Sequence, residues 1–132
     1  MHATAAITAS TLGADPTPHA DAALAWADRA ALLDPRSAAL EVSRGMSFEA
    51  KARWAVTQRS PDALALLERG AERYRAAVAL DPGWLRPRIL LGSNAYVRTV
   101  GKQRRGVPFR TEVEEGLAVN AAALRLAPVN DY

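Results

Sequence analysis

The residues best equipped for chemistry in this 132-residue chain fall into four small groups. Glu112, Glu114 and Glu115 are clustered carboxylates of the kind that can divide acid and base roles. Their position after Thr111 gives a simpler account: Thr111 and Glu114 form a capping box, and acids suit the positive end of a helix. Gly101-Lys102 ends as a phosphate-binding loop does, but no Ser or Thr follows and no earlier glycine has the required spacing. His2 and His19 are not spaced as a pair of helical metal ligands. The run Lys102-Gln103-Arg104-Arg105, with Arg110, could hold phosphates through counterion release. It equally suits a solvated loop whose cations favour a helix C-terminus. No nucleophile, base and orienting group come together. The expectation is a chain without catalytic, cofactor-binding or metal-ligating residues.

Composition then says what scaffold these residues sit on. Hydrophobic residues make up 49% of the chain and aromatic residues 6%, and there is no cysteine. Alanine (29) and leucine (15) supply most of the apolar total, which favours helices over sheets because both lose little freedom in a helix. The absence of cysteine removes disulfides, thiolate zinc sites and a cysteine nucleophile. No apolar run approaches the roughly 18 residues that span a bilayer. Residues 1–14 lack the basic start and apolar centre of a signal peptide. A soluble cytoplasmic protein is expected. The net charge of +3 is modest, and its 15 Arg against 2 Lys reads as coding bias before nucleic-acid affinity.

Internal similarity is the stronger signal. Leu33-Asp34-Pro35, Leu80-Asp81-Pro82 and Leu126-Ala127-Pro128 place their prolines 47 and 46 residues apart. Five residues before each proline stands an alanine: Ala30, Ala77 and Ala123. Twelve before stands a small residue: Ala23, Gly70 and Gly116. Gly45 and Gly92 each lie ten residues beyond a proline. Matching small and apolar positions at a fixed period signal a stacked repeat array. A small residue lets a neighbouring helix approach, and the proline stops one helix while suiting the turn into the next.

Caps and periodicity predict six helices. Residues 2–12 make a short one, with threonines that weaken it. Pro18 opens a second, with Leu24, Ala27 and Ala31 on one face. Longer helices follow at about 36–58 and 84–103. Ser60-Pro61-Asp62 starts another, Ser60 acting as N-cap, and Leu64, Leu67, Ala71, Tyr74 and Val78 carry it to about Leu80. Thr111 opens the last, which runs through Val113, Leu117, Asn120 and Leu124 to about Leu126. Gly13 to Pro18 and Gly101 to Pro108 read as loops. Trp54 and Trp84 read as core and repeat-junction residues. The whole forms one domain, 1–132, in units of about 1–35, 36–82 and 83–128. That makes not quite three repeats and suggests a piece of a longer array.

Leu91-Gly92 with Tyr96 in a first helix, then Gly70, Tyr74, Ala77 and Asp81-Pro82 in a second, resemble a tetratricopeptide repeat. Asn120 and Ala27 stand where that family usually has an aromatic. The usual period is 34, so each unit here carries about 12 extra residues. Glu49-Ala50-Lys51-Ala52-Arg53-Trp54, Ser60-Pro61-Asp62, Leu66-Leu67-Glu68 and Leu80-Asp81-Pro82 are similar to the long repeats that follow the catalytic domain of some bacterial serine/threonine protein kinases. No kinase motif is present.

The resemblance implies an all-α, right-handed solenoid of three helix pairs whose first helices line a concave, partner-binding face. Mapped onto this chain, that face draws on Val42, Met46 and Glu49 in the second unit and Arg86, Ile89, Ser93 and Tyr96 in the third. The expected function is a non-catalytic scaffold for a peptide or protein partner, as in a regulatory piece of a larger signalling protein. The alternatives are self-association through uncapped repeat ends and, behind it, weak nucleic-acid binding at Lys102–Arg105. The lysines and asparagines with which some relatives grip a C-terminal carboxylate are not reproduced.

Overall fold

A computed structural model of the chain describes residues 2–127. They form six helices: α1 (His2–Thr11), α2 (Thr17–Ala31), α3 (Ala38–Thr57), α4 (Ala63–Leu80), α5 (Leu85–Arg104) and α6 (Arg110–Leu126). Among the described residues there is no strand, as the alanine and leucine content requires. Pro128 and Tyr132, which mark the end of the third unit, lie outside them.

The helices repeat as the prolines do. Helices α3 and α5 are each 20 residues long, and both of their ends are offset by 47. Each helix packs on the next, and α1 also packs on α3. The core follows from this arrangement. Ala71, Tyr74 and Leu91 form a buried cluster from α4 and α5, flanked by Met46, Leu90 and Val119. Ala6, Ala20 and Ala50 form a second from α1, α2 and α3, flanked by Ile7. An all-alanine cluster buries little area per residue, so this end is held by close helix approach more than by side-chain bulk.

The small residues at fixed register have a geometric cause. A Cβ on Gly45 would lie 2.4 Å from the Tyr74 ring, and one on Gly92 would lie 2.4 Å from Asn120 Oδ1. The same contact thus recurs in two units, with Tyr74 and Asn120 as equivalents 46 residues apart. Gly101 differs from its expected loop role. It lies inside α5, and a Cβ there would meet Leu64 Cδ2 at 2.8 Å, so close packing against α4 selects it.

Two caps also differ. Helix α3 starts as predicted near 36–38, with Ser37 accepting from the Leu40 amide at 3.3 Å. Helix α4 begins at Ala63, after Asp62, while Ser60 accepts the Asp62 amide at 3.2 Å and closes the turn before it. Helix α6 begins at Arg110, after Phe109, with no side-chain cap. The Thr111–Glu114 box does not form, because the helix starts earlier, so that Thr111 lies inside α6 and Glu114 faces Arg110 at 3.5 Å.

Candidate functional site

Those cations build a charged seam where α4, α5 and α6 meet. Arg98, on α5, is only 2% exposed. Its Nη1 donates to Glu68 Oε2 at 3.0 Å, its Nη2 to Glu115, and its Nε to Asn94 Oδ1 at 2.7 Å. Arg75 grips Glu115 through Nε at 2.6 Å and Nη2 at 3.0 Å, and reaches Glu68 through Nη1 at 3.0 Å. Lys102 pairs with Glu112. Burial raises the carboxyl pKa of Glu112 and Glu115. The facing cations outweigh that effect and hold both below the ordinary glutamate value of 4.5. Two cations neutralise Glu115, and the same carboxylate drives the Arg75 guanidinium pKa up.

Asn94 ties this seam to a buried polar pocket between α3 and α5. Its Nδ2 donates to Glu49 Oε1 and to the Leu67 carbonyl, each at 3.0 Å. Desolvation pushes the Glu49 carboxyl up, against the hydrogen bond from Asn94. The Tyr74 hydroxyl is buried without a hydrogen-bond partner among the described residues. Burial and the Glu49 carboxylate raise its pKa too. Every charged group of the seam has an oppositely charged neighbour, so the seam reads as structural glue between repeats.

The seven residues expected on one binding face separate by unit. Val42 is 4% exposed and Glu49 7%, so neither offers a surface to a partner. Met46 packs beside the Ala71–Tyr74–Leu91 cluster, and Arg86 Nη2 lies 3.8 Å from its sulfur. In the third unit, Arg86, Ile89, Ser93 and Tyr96 are all exposed, Tyr96 to 71%. The difference is positional. Val42, Met46 and Glu49 match Ile89, Ser93 and Tyr96 at a 47-residue offset, but Met46 and Glu49 are covered by α5, the first helix of the following unit.

Beside the exposed set runs a groove of about 190 Å³ between α5 and α6, lined by Gly92, Tyr96, Val113, Gly116, Leu117 and Asn120 among others. Sequence periodicity placed Leu117 and Val113 on the packing face of α6. The signal that reveals them as surface is the repeat itself, since their counterparts Ala71 and Leu67 are the residues α5 covers.

The other chemical candidates disperse. Of the basic run, Lys102 is paired, Arg105 donates to the Pro61 carbonyl at 3.4 Å, and Lys102–Arg104 belong to the last turn of α5. His2 and His19 stack with ring centroids 6.4 Å apart, a pairing that their separation in sequence hides. No group of three or more His, Asp or Glu among the described residues is arranged to hold a metal. Trp54 and Trp84 are half-buried, while Trp26 is exposed beside His2, Ala3, Ala23 and Ser43. Among the described residues no helix is long and apolar enough to cross a membrane. In comparison with known proteins the chain matches no family model, no curated protein and no solved structure.

Proposed function

We propose that the chain is a non-catalytic protein-interaction scaffold, a tetratricopeptide-like stack of three helix pairs wound as a right-handed superhelix. It holds a peptide or protein partner on the α5 face that carries Arg86, Ile89, Ser93 and Tyr96. One observation carries this reading: a well-packed helix presents a tyrosine and an isoleucine to solvent beside an apolar groove. Exposed apolar patches rimmed by polar residues mark interaction sites. An aromatic anchor next to an arginine also has the composition of binding hot spots. The similarity to repeats in signalling kinases makes a regulatory, cytoplasmic role the natural setting.

The test replaces Arg86 and Tyr96 together by alanine and compares the proteins captured from a lysate. Loss of a reproducibly captured protein is expected, with the helical circular dichroism unchanged. An unchanged captured set overturns the assignment of this face.

Self-association is the second reading, favoured by the exposed leucines of α6, namely Leu117, Leu124 and Leu126. Light scattering decides it, because a mass that rises with concentration supports a homo-oligomer and a constant monomer mass refutes one.

A further inference from the structure

The two interior junctions of the repeat describe what the open groove is shaped to receive. At the first, the Lys51 ammonium of α3 pairs with Asp21 of α2 at 2.8 Å. At the second, the Arg98 guanidinium of α5 pairs with Glu68 of α4 at 3.0 Å. Both the cations and the acids are offset by 47, so one contact is made twice. An acid on a second helix meets a cation on the first helix of the next unit. The four residues before each cation lead to a fully buried small polar side chain, Ser47 and Asn94. In α5, Leu91 lies three residues earlier still and seats on Ala71 and Tyr74.

Helix α6 repeats the receiving half of this junction. In the register fixed by Tyr74 and Asn120, Glu114 stands where Glu68 and Asp21 stand. Gly116 takes the place of Gly70, Val113 of Leu67, and Leu117 of Ala71. Glu114 is largely exposed and touches only Arg110, one turn back at 3.5 Å, among the described residues. Leu117 is 68% exposed. Acid, small residue and apolar floor are all present, and no described helix lies over them.

We infer that the α5/α6 groove binds one amphipathic helix of a partner protein, built like α5: leucine, small polar residue and a cation at i, i+3 and i+7. The cation pairs with Glu114, and the leucine seats on Leu117 and Asn120, the counterparts of Ala71 and Tyr74 beneath Leu91. A helix laid in an apolar groove is read through such spaced anchors. A second copy of this chain is a poor occupant. The faces of α3 and α5 that carry Ser47, Leu91, Asn94 and Arg98 are already packed, and α1 carries no Lys or Arg. The inference rests on the scaffold reading above and adds to it the class of ligand and the residue that selects its charge.

A labelled 20-residue peptide on an alanine–glutamine background, with leucine, asparagine and arginine at those positions, tests it by fluorescence anisotropy against the full chain. Saturable binding is expected. Leu117→Asp should weaken it by at least about tenfold, the effect of losing a central apolar anchor. Glu114→Arg should weaken it about threefold to tenfold and should improve binding of the peptide whose arginine is replaced by glutamate, as a cross-groove ion pair requires. Both substitutions are on the surface, so unchanged circular dichroism confirms that each variant is folded. Absence of binding, or binding indifferent to Glu114 and Leu117, overturns the inference. If lysate capture still depends on Arg86 and Tyr96 in that case, the scaffold reading survives alone. A dimer that Leu117→Asp dissociates also overturns it, since a second copy then fills the groove.

Discussion

Gly45 and Gly116 both belong to the repeat signature, yet they answer differently to the same substitution. At Gly45 a new methyl would fall 2.4 Å from the Tyr74 ring, which is fully buried and has no room to withdraw. Gly45→Ala should therefore destabilise the fold by about 1–3 kcal/mol, the usual cost of overpacking. At Gly116 the nearest atom would be the Ala95 Cβ at 3.5 Å, an ordinary contact. Gly116→Ala should gain up to about 1 kcal/mol from helix propensity. Urea unfolding of the two variants checks both signs, and equal losses would refute the close-approach account. Glu49 sets a pH-dependent prediction at the same scale. Burial raises its folded-state pKa above the unfolded value, so the folded chain holds its proton more tightly and loses stability as pH rises through that interval. Glu49→Gln keeps an acceptor for Asn94 and removes the charge. Its melting temperature should exceed that of the parent at pH 7, and the gain should shrink towards pH 4. A gain independent of pH would exclude Glu49 as its source.

The junction between helices concentrates its charge energetics in one side chain. Arg98 is buried and faces Glu68, Glu112 and Glu115, so truncating it leaves the first and last to Arg75 alone and Glu112 to Lys102, and strips the buried Asn94 Oδ1 of its donor. Arg98→Ala should cost about 2–3 kcal/mol, because it leaves a buried acceptor unpaired while each carboxylate keeps a second cation. The equivalent Lys51→Ala removes a partly solvated pair with Asp21 and should cost under about 1 kcal/mol. A loss at Lys51 as large as that at Arg98 would show that burial does not separate the two junctions. Acid should act on the same seam. Glu112 and Glu115 have depressed folded-state pKa values, so their stabilisation is complete above the ordinary value of 4.5. It is lost as pH falls through the depressed values. The helices themselves were legible in the sequence, because the alanine and leucine content and the punctuating prolines act locally. The charge seam was not. Glu112 and Glu115 read on paper as acids that suit the first turn of a helix, and only the approach of α4 and α5 gives them stronger partners. The proposed binding face was half legible for the same reason. Val42 and Glu49 have the spacing of Ile89 and Tyr96, but spacing along one helix does not reveal that the next unit covers the first pair.

At the scale of the whole molecule, a chain of units that bury faces on their neighbours is stabilised by a sum of nearest-neighbour junctions. Helices α3 and α4 have packed helices on both sides, and they supply most of the buried residues. Helix α6 packs mainly on α5, touches α4 chiefly through Glu115 and Arg75, and exposes Leu117 and Leu124, while α1 is ten residues long and joined to its neighbours through alanines. Local opening free energies follow buried contact, so the stability of this array should be graded from its middle outward. Native-state hydrogen exchange should find the slowest amides in α3 and α4, intermediate ones in α5, and the fastest in α1 and α6. Adding a helix that fills the α5/α6 groove should slow exchange in α6 before any other element, since binding to the folded state stabilises what it touches. Uniform protection across all six helices would mean that the chain opens as one cooperative block. The repeat would then govern its geometry without grading its stability.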